Sequence, residues 1–599
     1  MFSYRFLLIS ITLTLAVFTT LLPKGGMPAP LPERDRSPSS VALRKDGILA
    51  VTANSTADSV SLVNLDSGTV IAEIGVGQRP FAITLSPNGK QALVSNQISD
   101  NITLLDVKPT GIKATATMAV GDEPRGVAFS ADGTRAFVAL AGENALALVD
   151  IQTRKVLSKT AVGAEPWHVA LTPDGKRLAV GCARSQELVV LDASTLKILH
   201  TVKLRGHNVR HIAAAPDGTW AFVPNIAERG RPATKENIDQ GWVTASRLSR
   251  APLAEEGPRE AISLDPRGKA VGDVDGVAVS PDGNIIALTA AGTHELILLR
   301  LPLPFVAFGG PGDHIEPELL RDPARFRRIP LGGRPLAVQF AKDGQTVVVA
   351  NYLSNSLQVV AIETGQIIRT IDLGGAKTPS LARRGEAIFY DAQRSFNQWY
   401  SCSTCHVEGH TSGSNFDTFN DGSYETPKKT PSLRGVTTTA PWTWHGAKPN
   451  LRQLVHDSVT KSMQGEPPSE ADLDALMAFL ATLEPPRSPY RNPNGTLTAS
   501  AKRGESVFRA KGCDTCHAPP HYTNASIYKI GLESPMDAHP GFNPPSLRNL
   551  YNRVPYLHDG SARSLETVLT QKHRASELTG KPDPTPEELK DLIAFLKSL

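Results

Sequence analysis

The sequence predicts a multidomain chain: an all-β seven-bladed propeller followed by an all-α domain of two similar units. Three observations carry this expectation. One tight-turn tripeptide recurs seven times up to Gly344. A Cys-x-x-Cys-His stretch occurs twice after Tyr400. The texture changes near Pro379 from alternating strands to helices and Pro/Gly loops.

The recurring turns are Lys45-Asp46-Gly47, Pro87-Asn88-Gly89, Ala131-Asp132-Gly133, Pro173-Asp174-Gly175, Pro216-Asp217-Gly218, Pro281-Asp282-Gly283 and Lys342-Asp343-Gly344. The first five lie 42 to 44 residues apart and the next two gaps are longer. Asp-Gly and Asn-Gly supply the positive φ angles of tight hairpins. An alternating apolar strand such as Trp167–Leu171 precedes each turn. Three more follow, as in Arg177–Val180, Glu187–Asp192 and Lys197–Val202. Four strands repeated at this spacing make a propeller blade. Seven turns therefore predict seven blades over residues 37–379, with insertions in blades five and six. The repeats resemble the YVTN-type propeller repeats of exported bacterial proteins.

Arg125, Trp167, His168, Arg210, His211 and Asp275 open the innermost strands. They are expected at one end of the central channel, facing solvent, with a ligand or docking site as the alternative. The insertions around Arg229–Lys269 and Phe305–Arg328 are the better candidates for partner contact, because long loops in compact domains are mostly functional or disordered.

The second part carries the chemistry. Four of the five cysteines form Cys402-Ser403-Thr404-Cys405-His406 and Cys513-Asp514-Thr515-Cys516-His517. Cys-x-x-Cys-His is the attachment signature of c-type haem: two thiols reach the haem vinyl groups and the adjacent His is placed to ligate iron. A redox dithiol would need a βαβ setting, which is missing, and a zinc site would leave both His residues unexplained. The fifth cysteine, Cys182, reads as a small core residue.

The flanks repeat as well. Arg384-Gly385-Glu386 is matched by Arg503-Gly504-Glu505, and Pro431-Ser432-Leu433-Arg434 by Pro545-Ser546-Leu547-Arg548. Pro441-Trp442-Thr443-Trp444-His445-Gly446 parallels Pro555-Tyr556-Leu557-His558-Asp559-Gly560, and Leu476–Leu480 parallels Leu592–Leu596. The offsets run from 111 to 119. This is a duplicated cytochrome c-like unit, with the first copy over residues 382–485 and the second over 498–599. Capping patterns Ser469-x-x-Asp472 and Thr585-x-x-Glu588 open the two closing helices.

On these motifs, residues 382–599 resemble the bacterial di-haem cytochrome c peroxidase family, which includes MauG-like proteins. The tract Pro545–Val568 is the nearest match to that family's second unit. The resemblance implies two covalently attached haems and electron transfer, with hydrogen peroxide as a small oxidant and a Ca²⁺ between the units as an allowance. It makes His406 and His517 the proximal iron ligands and Trp444 the inter-haem Trp. His558 becomes the His of the second-unit loop, so Trp444, His445 and His558 are the catalytic candidates. The family's distal Met or Tyr falls at Lys572, with His573 beside it, so His573 is the candidate distal ligand there. Met463 is the candidate in the first unit. Two departures bear on peroxide chemistry. Ser462 stands where the family has a carboxylate, and an expected Gln falls at Leu454, next to Gln453. His410 lies too near His406 in sequence to reach the other haem face.

The formal charge is only +4 and no basic run is present, which excludes nucleic acid as the expected partner. Arg5 precedes the apolar run Phe6–Leu22, so residues 1–26 read as a signal peptide or an N-terminal membrane anchor. The location expected is periplasmic or extracytoplasmic. The leading expectation is thus an exported di-haem redox protein with a protein electron donor or acceptor. The alternative is a non-catalytic carrier whose propeller binds a redox partner. Propellers and di-haem modules also occur together in hydrazine-forming enzymes.

Overall fold

A computed structural model describes residues 34–307 and 310–599. The expected signal or anchor lies outside the described residues. Among the described residues no helix is long and apolar enough to cross a membrane.

Seven four-stranded sheets follow one another along the chain, each built from four consecutive strands. Blade one, for instance, pairs Pro38–Leu43, Leu49–Asn54, Ser59–Asn64 and Thr69–Gly75 in that order, all antiparallel. Each predicted turn joins the two inner strands of its blade. The seven turn glycines hold φ between +67° and +76°, a region that costs glycine little. Middle strands are sandwiched between neighbouring blades, so Leu49–Asn54 is buried throughout. The outermost strand has one free face, and in Ile198–Lys203 only Val202 is buried. The cores lie between blades, as with Val51, Leu62, Ile83, Val94 and Leu105 between blades one and two.

The ring closes without an exchanged strand. Blade seven keeps its own four strands, from Pro335–Phe340 to Ile367–Asp372. It meets blade one through Val41, Ala337, Val348 and Leu357. Across this seam Asn355 Oδ1 accepts the Ser37 N–H at 2.9 Å and Asn355 Nδ2 donates to Asp35 at 2.8 Å. Arg383, from the domain that follows, donates to the Tyr352 carbonyl at 2.8 Å and lies 3.6 Å from Asp35.

The helical domain is a structural duplicate. In each unit an opening helix crosses a closing helix: Leu381–Phe389 packs on Glu470–Leu480, and Ala499–Ala510 on Pro586–Lys597. The matched glycines explain the recurring Arg-Gly-Glu. A Cβ on Gly385 would stand 1.8 Å from the Ala475 carbonyl oxygen, and one on Gly504 would stand 2.0 Å from that of Asp591. Gly504→Ala is therefore expected to destabilise the second unit by about 1–3 kcal/mol, the usual range for overpacking. Thermal unfolding measures it, and an unchanged Tm would contradict the close crossing. The Thr585 cap is reciprocated by Glu588, whereas Ser469 only accepts from the Asp472 N–H.

Between those helices each unit has a second shared device. Leu451–Asp457 widens into a π-turn at Ser458–Ser462, and Leu565–Thr567 does the same at Val568–Lys572. The residues that end the two π-turns are Met463 and His573, 110 positions apart.

The first unit sits on the propeller face where the inner strands begin, so the channel mouth does not face solvent as expected. Glu408, two residues past His406, enters it between Arg79, Arg210 and Arg334, at 3.1, 3.3 and 2.8 Å. Three converging guanidinium groups would be costly to bury without an anion, and the helical domain supplies one. Arg125 and Trp167 are buried below that level, with the guanidinium 3.8 Å from the indole centroid. The propeller also grips the attachment segment itself. Asp273 accepts from the Ser401 and Thr404 hydroxyls, and His207 Nε2–H donates to the Thr404 carbonyl at 3.0 Å.

The blade-five insertion likewise turns inward. Ala233 N–H donates to the Asp417 carbonyl at 2.9 Å, and the Ala233 carbonyl accepts from Gln464 at 3.1 Å. Asp313, from the blade-six insertion, accepts from Trp242 Nε1 at 3.1 Å. Both insertions thus make contacts within the chain.

Candidate functional site

Each Cys-x-x-Cys-His stretch opens onto its own cavity. The first, of about 300 Å³, is lined by Cys402, Cys405, His406 and Met463. The second, of about 240 Å³, is lined by Cys513, Cys516, His517 and His573. Cys402–Cys405 form a helical turn capped by Ser401 and Thr404, which turns both thiols to one side. Burial pushes the Cys402 thiol up to about 12 and that of Cys513 up to about 11. A reactive dithiol is favoured by the opposite shift, so this burial does not favour the redox-dithiol reading.

The two histidines are prepared alike. His406 Nδ1–H donates to the Pro431 carbonyl at 3.0 Å, and His517 Nδ1–H donates to that of Tyr522 at 3.2 Å. That fixes the tautomer and leaves each Nε2 with a free lone pair, the arrangement that orients a metal-ligating imidazole. Burial pushes both imidazolium pKa values down to about 4. The Pro431 carbonyl belongs to the first Pro-Ser-Leu-Arg motif, whereas in the second unit Tyr522, upstream of the matching motif, takes this part.

Opposite these histidines the units diverge. The His573 ring lies 6.4 Å from that of His517, centroid to centroid. Two imidazoles on one metal, each bond about 2 Å with roughly a ring radius beyond it, stand about this far apart. Nδ1 of His573 is buried without a partner, while Lys572 is exposed. Met463, at the equivalent position, instead packs with Val459, Tyr400 and Phe416, its sulfur 3.9 Å from Cys402 Sγ. Its thioether therefore lies against the attachment thiol.

Trp444 lines both cavities and is held by its Nε1–H, which donates to the Lys429 carbonyl at 2.7 Å. The His558 ring lies 6.2 Å away on the second-cavity side. His445 lines neither cavity. It is buried against Phe542, and its Nδ1–H donates to the Gly541 carbonyl at 2.7 Å. His410 is occupied at both nitrogens, by Ser432 at 2.8 Å and by the Asn552 carbonyl at 3.2 Å.

The polar side of the first cavity holds what sequence reading missed. Ser462 offers no acid, and its hydroxyl donates to the Thr418 carbonyl at 3.0 Å. Next to that carbonyl, Asp417 lines the cavity with Oδ2 buried and unpartnered, and burial raises its pKa. Asp421 also faces the cavity but is paired with Lys428 at 3.1 Å. Gln453 is tied to Asp457 at 2.9 Å, and Leu454 takes the wall. No motif flags Asp417 in the sequence, because its position depends on the Ala233 contact with the propeller.

The haem group fits these residues. Lys429 and Arg553 line both cavities, and neither pairs with a carboxylate among the described residues. Lys429 Nζ donates to the Arg553 carbonyl and Arg553 to that of Ser546, each at 2.8 Å, with Arg553 Nε left over. Buried cations are normally paired, and haem brings propionate carboxylates. Among the described residues no three His, Cys, Asp or Glu side chains converge on a metal site.

A family model described as di-haem cytochrome c peroxidase matches residues 379–483, and a YNCE-like β-propeller model matches residues 25–152. The chain joins a YNCE-like propeller to a di-haem cytochrome c peroxidase domain. Hydrazine synthase subunit gamma of Kuenenia stuttgartiensis is 28% identical over 276 residues, covering 37% of this chain and 77% of that protein. Methylamine utilization protein MauG of Methylorubrum extorquens is 28% identical over 282 residues, covering 37% and 78%. A solved structure of Kuenenia stuttgartiensis hydrazine synthase aligns at 23% identity and a TM-score of 0.49, over 56% of this chain and 99% of that one. The family implies haem cofactors and haem-based redox activity, and the paired cavities are of a kind that haem fits.

Proposed function

We propose that this chain is an extracytoplasmic two-haem electron-transfer protein that passes electrons to a small oxidant of the hydrogen peroxide class at its first unit. In this reading Cys402/Cys405 and Cys513/Cys516 each attach one haem by thioethers, with His406 and His517 as proximal ligands. Bound there, each haem supplies an iron that takes up or gives back one electron.

The residues of the chain do the rest. His573 offers a second imbedded imidazole across from His517, which suits a closed, electron-carrying site. Met463 leaves the opposite side of the first cavity clear for a small molecule. Asp417 faces that side and can hold or move the proton that peroxide cleavage requires. Trp444 bridges the two cavities. Lys429 and Arg553 neutralise carboxylates beside both. A redox partner is expected at the second unit, since the first is covered by the propeller. The apolar run Phe6–Leu22 supports export.

The observation that carries this reading is the asymmetry between His573, 6.4 Å from His517, and Met463, beside Cys402. Carbon monoxide tests it. The reduced full-length holoprotein is expected to bind one CO per chain, and His573→Ala is expected to bind two. Uptake of none by the unaltered protein would sink the open first site, and uptake of two would sink the His573 assignment.

A further inference from the structure

The propeller channel holds a third polar cavity, of about 450 Å³, that the redox reading does not use. Glu408 closes it on the helical-domain side. At the other end it passes Pro281 and Lys342, both exposed, and so opens on the opposite face.

Its walls are charged. Arg79, Arg210 and Arg334 meet Glu408, and Arg210 also pairs with Asp275 at 2.8 Å. Three guanidinium groups, with Lys342 at the open end, thus face two carboxylates, which leaves a positive excess before any charge on His211 is counted. Two imidazoles add directed groups. His211 Nδ1–H donates to Asp275 Oδ1 at 3.0 Å, which turns its Nε2 free. His168 Nδ1 accepts the Ile212 N–H at 3.3 Å, and burial keeps that ring neutral, so its proton sits on Nε2. The rings lie 5.0 Å apart, and neither Nε2 has a hydrogen-bond partner among the described residues. A cleft with an excess of positive charge concentrates small anions. Planar guanidinium groups match a carboxylate in shape as well as charge, and this set already holds one, that of Glu408.

We propose that the propeller channel is a binding site for one small monovalent carboxylate, of formate or acetate size, held by Arg79, Arg210 and the His168 Nε2–H beside Glu408. The ligand enters from the face away from the haem domain, and its binding is independent of the iron chemistry.

Calorimetric titration of the full-length holoprotein with sodium formate, against sodium chloride at equal ionic strength, tests this. Saturable one-site binding of formate alone is expected, weakened in His168→Ala. Glu408→Gln removes a competing carboxylate, and binding should tighten about tenfold, the scale of one unit charge across a solvated channel. If that variant fails to fold, Asp275→Asn makes the same change of charge inside the propeller. No saturable heat, equal binding of chloride, or affinity unchanged in both His168→Ala and the charge variant would overturn the proposal.

Discussion

Replacing Asp417 with Asn is expected to slow peroxide turnover by about 100-fold or more, within the range for loss of a positioned acid–base group, while both haem absorption spectra stay as they were. Reducing one peroxide to water takes two electrons and two protons, so a group must hold a proton beside the oxygen atoms. Ser462 cannot, because its hydroxyl is committed to the Thr418 carbonyl. Asp417 has a free oxygen in the same cavity. Burial raises its pKa above the ordinary carboxylate range, and as a proton acceptor it acts only when ionised. Turnover should therefore fall as pH drops through that raised pKa, and Asp417→Asn should erase this limb of the pH profile. Stopped-flow measurements on full-length holoprotein across acid pH decide it. A variant with the same rate and the same acid limb would remove Asp417 from the reaction.

Asp122→Asn should stabilise the protein at alkaline pH, by up to about 6 kcal/mol for the whole shift. Asp122 precedes the inner strand of blade three, among Asp100, Glu123 and Glu143 with Arg434 of the helical domain also near, and its Oδ2 is buried and unpartnered. Burial first, then those carboxylates, push its pKa up to about 8 from 3.8. A raised folded-state value means that folding favours the protonated acid. That contribution is complete below the unfolded value near 4 and is lost as pH rises towards 8. Asn cannot ionise, so the variant keeps what the native residue gives up. Melting temperatures should nearly coincide at pH 4 and diverge steadily up to pH 8, with the variant the more stable. Parallel curves over that interval would show that Asp122 does not carry this ionisation.

The features legible in the sequence were those written in short, local patterns. The seven Asp-Gly or Asn-Gly turns gave the blades because a positive φ at one glycine is a local demand. Cys-x-x-Cys-His and Pro-Ser-Leu-Arg gave the paired sites because thiols, imidazole and the Pro431 carbonyl are all set by nearby chain. What escaped depends on long-range approach. Glu408 meets Arg79 across 329 residues, and no local pattern announces such a meeting. The expectation that the channel mouth faces solvent failed for that reason. The equivalence of Met463 and His573 was hidden because the residue type changes while the π-turn persists. His445 drew notice through its motif, yet the backbone turns it to Phe542 and away from either cavity.

The propeller seam has a consequence for how the two halves came to share one polypeptide. Blade one and blade seven touch without interleaving, and the clasp of Asp35, Ser37 and Asn355 is completed by Arg383 from beyond the last blade. Separating the halves near Pro379 would take Arg383 from this clasp and Ala233, Val243 and Thr244 from the wall of the first cavity. The halves are thus mutual scaffolds rather than beads on a string, and a swap of either for a homologous module would have to carry its half of the buckle along.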